Sequence, residues 1–167
     1  GILRLFLNNE LVFNFGLLDQ GFWPDGLYTA PTDEALRYDI EVTRQLGFNT
    51  IRKHVKIEPA RWYYWADRLG VLVWQDMPNG DSHVEPGEGE IERLPVSAEQ
   101  FEIELTRLVE SHINHPSIIM WVIFNEGWGQ YNTAHLTEYV QQLDPTRLVN
   151  SVSGWNDMGV GAVYDIH

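Results

Sequence analysis

Residues 118–129 read IIMWVIFNEGWG: seven apolar side chains in succession, then Asn125 and Glu126, then glycine and tryptophan. A carboxylate at the end of so long an apolar run is costly to bury, which marks it as a candidate for chemistry rather than packing. Similar polar groups recur along the chain: Asp19 with Gln20, Arg52 with His54, Gln75 with Asp76, Trp155 with Asn156, and Asp165 with His167. Carboxylates, imidazoles and a guanidinium are the side chains that move protons, balance charge and orient polar ligands. Cysteine is absent, which excludes a thiol nucleophile, a thiolate metal site and a disulfide framework.

Each cluster follows a segment that reads as a strand, and helical patterns lie between them. In FLNNELVF, Phe6 to Phe13, an Asn-Asn pair between two apolar arms predicts a hairpin, and a short strand follows through Phe15 and Leu17. From Asp33 to Leu46 the residues Leu36, Ile40, Thr43 and Leu46 recur at helical spacing. Thr32 suits the N-cap and Gly47 the end. NTIRKHV predicts a strand, Pro59 opens a second helix with Trp62, Ala66 and Leu69 facing inward, and Gly70 closes it before the strand VLVWQDM. Residues 79–95, NGDSHVEPGEGEIERLP, predict a long loop whose acids, Glu85 to Glu92, are solvated. Ser97 with Gln100 predicts a capping box for a helix with the stripe Phe101, Leu105, Leu108 and His112, ending before Pro116. After the strand at 118–125 come a helix from about Thr133 to Leu143, the stop Asp144-Pro145, the strand LVNSV, and a last strand-like piece, AVYDIH.

Strands apolar on both faces, alternating with helices, predict an α/β fold with a parallel sheet covered by helices. A doubly wound nucleotide fold would carry a glycine-rich phosphate loop after its first strand, and GLLDQGFWPDG does not match one. Polar clusters at the carboxyl ends of successive strands favour a TIM barrel of the (β/α)8 type, where catalytic groups converge on that rim. About the first six strands are expected in one domain, residues 1–167. Glu126 then stands at the mouth of a site.

The formal charge of −13 and a pI near 4.7 oppose binding to nucleic acid or anionic lipid, so neither is expected as a partner, and a neutral substrate fits better. No apolar run reaches membrane-spanning length, no targeting segment is read, and the compartment stays open. Several residues carry two readings. Trp128 and Trp155 suit either a core or the stacking of a sugar ring. Arg52 suits a structural ion pair as well as a site. His54 alone reads more readily as a satisfied histidine than a catalytic one. His112 and His115, in HINH, straddle a helix end with no acidic ligand nearby, so no metal site is expected there.

GFNTIRKH, YYWADRLGVLVWQDMP and WVIFNEGWGQ, in that order and followed by LDPTRLV, resemble the catalytic barrel of glycoside hydrolase family 2, the family of β-galactosidases, β-glucuronidases and β-mannosidases. The resemblance covers nearly the whole chain. It implies hydrolysis of terminal β-linked sugars by a retaining double displacement, with a carbohydrate substrate and no cofactor or metal. Glu126 takes the place of the general acid/base, and Asn125 that of the amide bonding the sugar 2-hydroxyl. Arg52 and His54 match the pair at the end of the second barrel strand, near nucleophile and sugar. Asp76 lies where an acidic residue often follows the third strand, and Asp19 is a looser match. Trp128, Trp155 and His167 complete the candidate substrate-binding set. Retention requires two carboxylates roughly 5–5.5 Å apart, one giving and taking the proton and one attacking.

The pattern departs from the family at one point. The family nucleophile is a Glu at the end of the seventh strand, and none of Asp76, Asp157 or Asp165 matches it, so no nucleophile is assigned within these residues. With the missing family sandwich domains, this suggests a piece of a larger enzyme, whose open barrel edges favour self-association. A non-catalytic sugar-binding or structural fragment is the alternative of a different class. A metal-dependent barrel hydrolase using His54, His83 or His167 is a third.

Overall fold

A computed structural model describes residues 3–166. Two short strands, β1 (Phe6–Leu7) and β2 (Glu10–Leu11), form the antiparallel hairpin. Its turn holds Asn8 and Asn9 at φ 53° and 67°, a left-handed backbone that asparagine tolerates better than most residues. Five parallel strands follow: β3 (Gly16–Asp19), β4 (Thr50–Lys53), β5 (Leu72–Asp76), β6 (Ile118–Asn125) and β7 (Leu148–Ser153). Helices α1 (Asp33–Gln45), α2 (Ala60–Leu69), α3 (Pro95–His112) and α4 (Thr133–Leu143) alternate with them. The strands lie side by side in chain order. A doubly wound sheet reverses its order at a switch point, whereas an unbroken parallel succession is an arc of a (β/α)8 barrel, incomplete at five strands.

Local chemistry explains the elements. The Thr32 hydroxyl accepts the Ala35 amide at 3.1 Å and caps α1, and Gly70, at φ 69°, ends α2. β6 is buried along nearly its whole length, as expected of a strand covered on both faces. Between sheet and helices lies one core that includes Ile40, Trp62, Leu105, Trp121 and Leu136, with Phe101 of α3 stacked on Phe124 of β6 at 5.3 Å. Among the described residues, no helix is long and apolar enough to cross a membrane.

The structure corrects four readings. Pro95, whose fixed φ suits a first helical turn, starts α3 two residues before Ser97. No capping box forms: the Ser97 hydroxyl donates to Asp81 Oδ2 at 2.7 Å, and the Gln100 side-chain amide donates to Glu104. Glu90 is not a solvated loop acid, because it accepts the Thr133 amide at 2.7 Å and so neutralises the positive end of α4. Leu46 ends α1 exposed rather than inward. The described part of AVYDIH, residues 162–166, forms no strand, and β7 is the last member of the sheet.

Candidate active site

β6 ends at Asn125, and the chain turns sharply through Glu126 at φ 50° and Gly127 at φ 74°. A left-handed glutamate costs about 1–2 kcal/mol, a strain that persists only where the surroundings enforce it. Here they do: the Glu126 amide donates to the Ser153 carbonyl at 2.8 Å and the Trp128 amide to the Asn125 carbonyl at 3.0 Å. The 79–95 loop presses on the turn from outside. The Val84 amide donates to the Gly127 carbonyl, and a Cβ at position 127 would meet the Val84 carbonyl oxygen at 2.4 Å, so only glycine fits. Glu126 is thereby held half-buried at the carboxyl end of the fourth strand of the arc.

Beside it, Arg52 of β4 gathers three strand ends. Its Nε and Nη2 donate to the Asp76 carboxylate at 3.0 and 2.9 Å, Nη2 also donates to Asn125 Oδ1 at 2.8 Å, and Nη1 donates to the Ser153 hydroxyl. Ser153 in turn donates to Asp165 at 2.7 Å. The bond from Arg52 fixes the Asn125 amide with its oxygen inward, so its Nδ2 is the group that can donate to a ligand hydroxyl. Burial pushes the Asp76 carboxyl above its ordinary range, while Arg52 and the Val55 amide, 3.1 Å away, pull against that rise.

The other expected residues divide. His54 sits at the same strand end, its Nδ1 2.9 Å from Gln20 Nε2. Asp19 is not brought to the Arg52 set: it accepts from Lys53 Nζ at 2.7 Å, in a buried charge network with Glu58 and Lys56 that faces α2. Gln75 likewise turns to the helix layer, accepting from the Tyr63 hydroxyl. Trp128 and Trp155 stand partly exposed on the loops after β6 and β7. His167 lies outside the described residues. One residue was missed, and another was read only in a different role. Ser153 occupies the strand-end position next to Asn125 in register, a signal that counting along LVNSVS would have supplied. His83, read only as a ligand of the metal-dependent alternative, packs between Trp128 and Trp155, a placement that no local pattern in the long loop foretells. Among the described residues, no cluster of three or more metal-ligating side chains forms.

A parallel barrel arc with a carboxylate at a strand end, beside an amide fixed by a partly buried arginine–carboxylate pair, is the arrangement of a (β/α)8-barrel rim, where the catalytic groups of that fold converge. The family model for "Glycosyl hydrolases family 2, TIM barrel domain" matches residues 29–166. The chain is 31% identical to a β-galactosidase of Klebsiella pneumoniae over 126 residues, 75% of this chain and 12% of that protein. It is 35% identical to β-galactosidase 2 of Enterobacter cloacae over 124 residues, 73% of this chain and 12% of that protein. It therefore spans about an eighth of the length of these relatives. The crystal structure of a Parabacteroides merdae β-glucuronidase shares the fold, with a TM-score of 0.73 and 23% identity over 89% of this chain and 19% of that one. The chain belongs to glycoside hydrolase family 2, and its residues are part of that family's TIM-barrel domain.

Proposed function

We propose that this chain carries the acid/base half of a retaining β-glycosidase site. The observation behind the reading is the strained turn that holds Glu126 next to Asn125 at the strand end. Glu126 donates its proton to the glycosidic oxygen as the bond breaks, and later takes one from the attacking water. Asn125 Nδ2 donates to the sugar 2-hydroxyl, a bond that strengthens as oxocarbenium character develops. Arg52 and Asp76 keep that amide in place, and His54 flanks the bound sugar. The relatives act on galactosides and the structural neighbour on glucuronides, so the reading extends to a terminal β-linked sugar and no further. No nucleophile is assigned: Asp76 is clamped by Arg52, and Asp165 accepts from Ser153.

Glu126→Gln in the full-length gene product tests this. Turnover of alkyl β-glycosides, which need a proton on the leaving oxygen, should fall by about 10²-fold or more, while the first step on activated aryl glycosides is spared. Equal losses on both would overturn the assignment. A panel should include β-galactosides and β-glucuronides.

A further inference from the structure

His83, Trp128 and Trp155 come from three different loops, those after β5, β6 and β7, and meet above the turn that holds Glu126. The His83 ring lies 4.8 Å from Trp128, tilted by 53°, and 5.2 Å from Trp155, edge-on at 88°. The cluster is built rather than incidental. The Asn156 side chain accepts the Gly87 amide at 2.6 Å and donates to the Glu85 carbonyl at 3.1 Å, and the Gln130 side chain donates to the Asn156 carbonyl at 2.8 Å. These bonds tie the three loops together.

Trp155 is held at φ 44°, a left-handed conformation unfavourable for a bulky side chain. Strain of this kind ordinarily serves to aim a side chain, yet Trp155 remains 38% exposed and Trp128 46% exposed. Neither indole is aimed into the core. Two strained or glycine-dependent turns instead leave two large aromatic groups partly exposed beyond the ends of β6 and β7, braced on one imidazole.

Depth gives the platform its role. Asn125 and Asp76, the last residues of β6 and β5, are 5% and 0% exposed, deeper than either indole, and a sugar held by its 2-hydroxyl would sit at that depth. Asn125 and Ser153 are register partners at the ends of β6 and β7, and Trp128 and Trp155 lie three and two residues beyond them, past the strand ends; the outward partner of the acid is the leaving group whose oxygen it protonates. We propose that His83, Trp128 and Trp155 form a leaving-group subsite that takes a flat ring, either the apolar face of a second sugar or an aryl group, and that His83 is a specificity-determining residue. The proposal rests on Glu126 being the acid.

Two measurements on the full-length gene product keep the proposals separate. In the first, kcat/KM is compared for methyl, phenyl and glucosyl β-galactosides. Trp155→Ala, Trp128→Ala and His83→Ala should each lower the phenyl or glucosyl value about tenfold more than the methyl value, roughly the worth of one aromatic contact. His83→Phe, which keeps a ring, should restore most of the preference. In the second, fluorotryptophan resonances assigned to Trp128 and Trp155 are followed in the Glu126→Gln protein. Phenyl β-galactoside and phenyl β-glucuronide should both move them, and methyl β-galactoside should not. A phenyl effect without a glucosyl effect assigns the subsite to aryl groups, and the reverse assigns it to sugars. Parallel losses on all three substrates, or resonances that ignore every ring-bearing ligand, would overturn the platform. If the unmutated protein hydrolyses neither these galactosides nor the matching β-glucuronides and β-mannosides, the acid/base reading fails while the titration still decides the platform. Circular dichroism of each variant separates misfolding from loss of the contact.

Discussion

Arg52 commits Nε, Nη1 and Nη2 to protein acceptors and so fixes groups from three strand ends relative to one another. Its bidentate pair with Asp76 is the brace on Asn125, and two consequences follow at this scale. Asn125→Ala should lower kcat/KM by about 10²-fold, because a bond that strengthens in the transition state is lost, with little change in the acid/base pH profile. An unchanged kcat/KM would remove Asn125 from the site. Asp76 supplies the pH dependence. Its carboxyl is raised above 3.8, chiefly by burial, so the native state holds that proton more tightly than the unfolded chain does. The group's contribution to stability is therefore full below 3.8 and declines as pH rises through the raised value. Function runs the other way: the charged form grips Arg52, so the brace loosens as pH falls through that same value. Asp76→Asn should lower kcat/KM by about tenfold near neutrality and remove an acid limb lying above the ordinary aspartate range, as a pH–rate profile would show.

At the scale of elements, the join between α4, β6 and the end of α3 depends on one buried acid. Asp144, just after α4, accepts from Trp121 Nε1 of β6 at 2.9 Å and from Arg147 at 2.7 Å. Arg147 then donates to the carbonyls of Ile118, Ile113 and His115. Burial favours the neutral acid, but bonds from Thr146, Arg147 and Trp121 outweigh it and hold the Asp144 carboxyl below its ordinary value. The sign is thus opposite to that of Asp76: this stabilisation is present above the unfolded value and is lost as pH falls through the folded one. Asp144→Asn should cost about 2 kcal/mol at neutral pH and much less in acid. Urea unfolding at the two pH values would check it, and equal losses at both would refute the ionised role.

For the molecule as a whole, the two edges of the sheet differ. The outer side of β7 is partly covered, since the Ala162 amide donates to the Val149 carbonyl and the Ser151 hydroxyl to the Val160 carbonyl. Among the described residues β3 pairs only with β4, and exposed Phe13, Phe15 and Leu18 lie on or beside it. An unpaired edge flanked by apolar side chains is a template for association. The 167-residue chain alone should self-associate through the β3 side and show no appreciable turnover of aryl β-glycosides. Light scattering beside an activity assay measures both. A well-behaved monomer would contradict the first expectation, and robust turnover would show that a carboxylate within these residues serves as nucleophile.

What the sequence determined by itself was whatever depends on neighbours along the chain. Thr32 caps α1, Asn8 and Asn9 turn the hairpin, the apolar run makes β6 a buried strand, and its abrupt polar end puts Glu126 at the rim. These rest on backbone propensity and period, which act over a few residues. Long-range partnership was decided only in three dimensions. Asp19 and Asp76 both end strands, yet alternation sends one to Lys53 in the helix layer and the other to Arg52 beside Asn125. The Ser97–Gln100 pattern reads as a cap until Pro95 and Asp81 compete for it. Glu90 looks solvated until the fold brings the amino end of α4 to it, 43 residues along the chain. His83 becomes part of an aromatic group only because three loops converge. Spacing encodes the face a side chain takes on its own helix or strand, whereas the group it meets there is set by how strands register and loops fold back, which no local pattern carries.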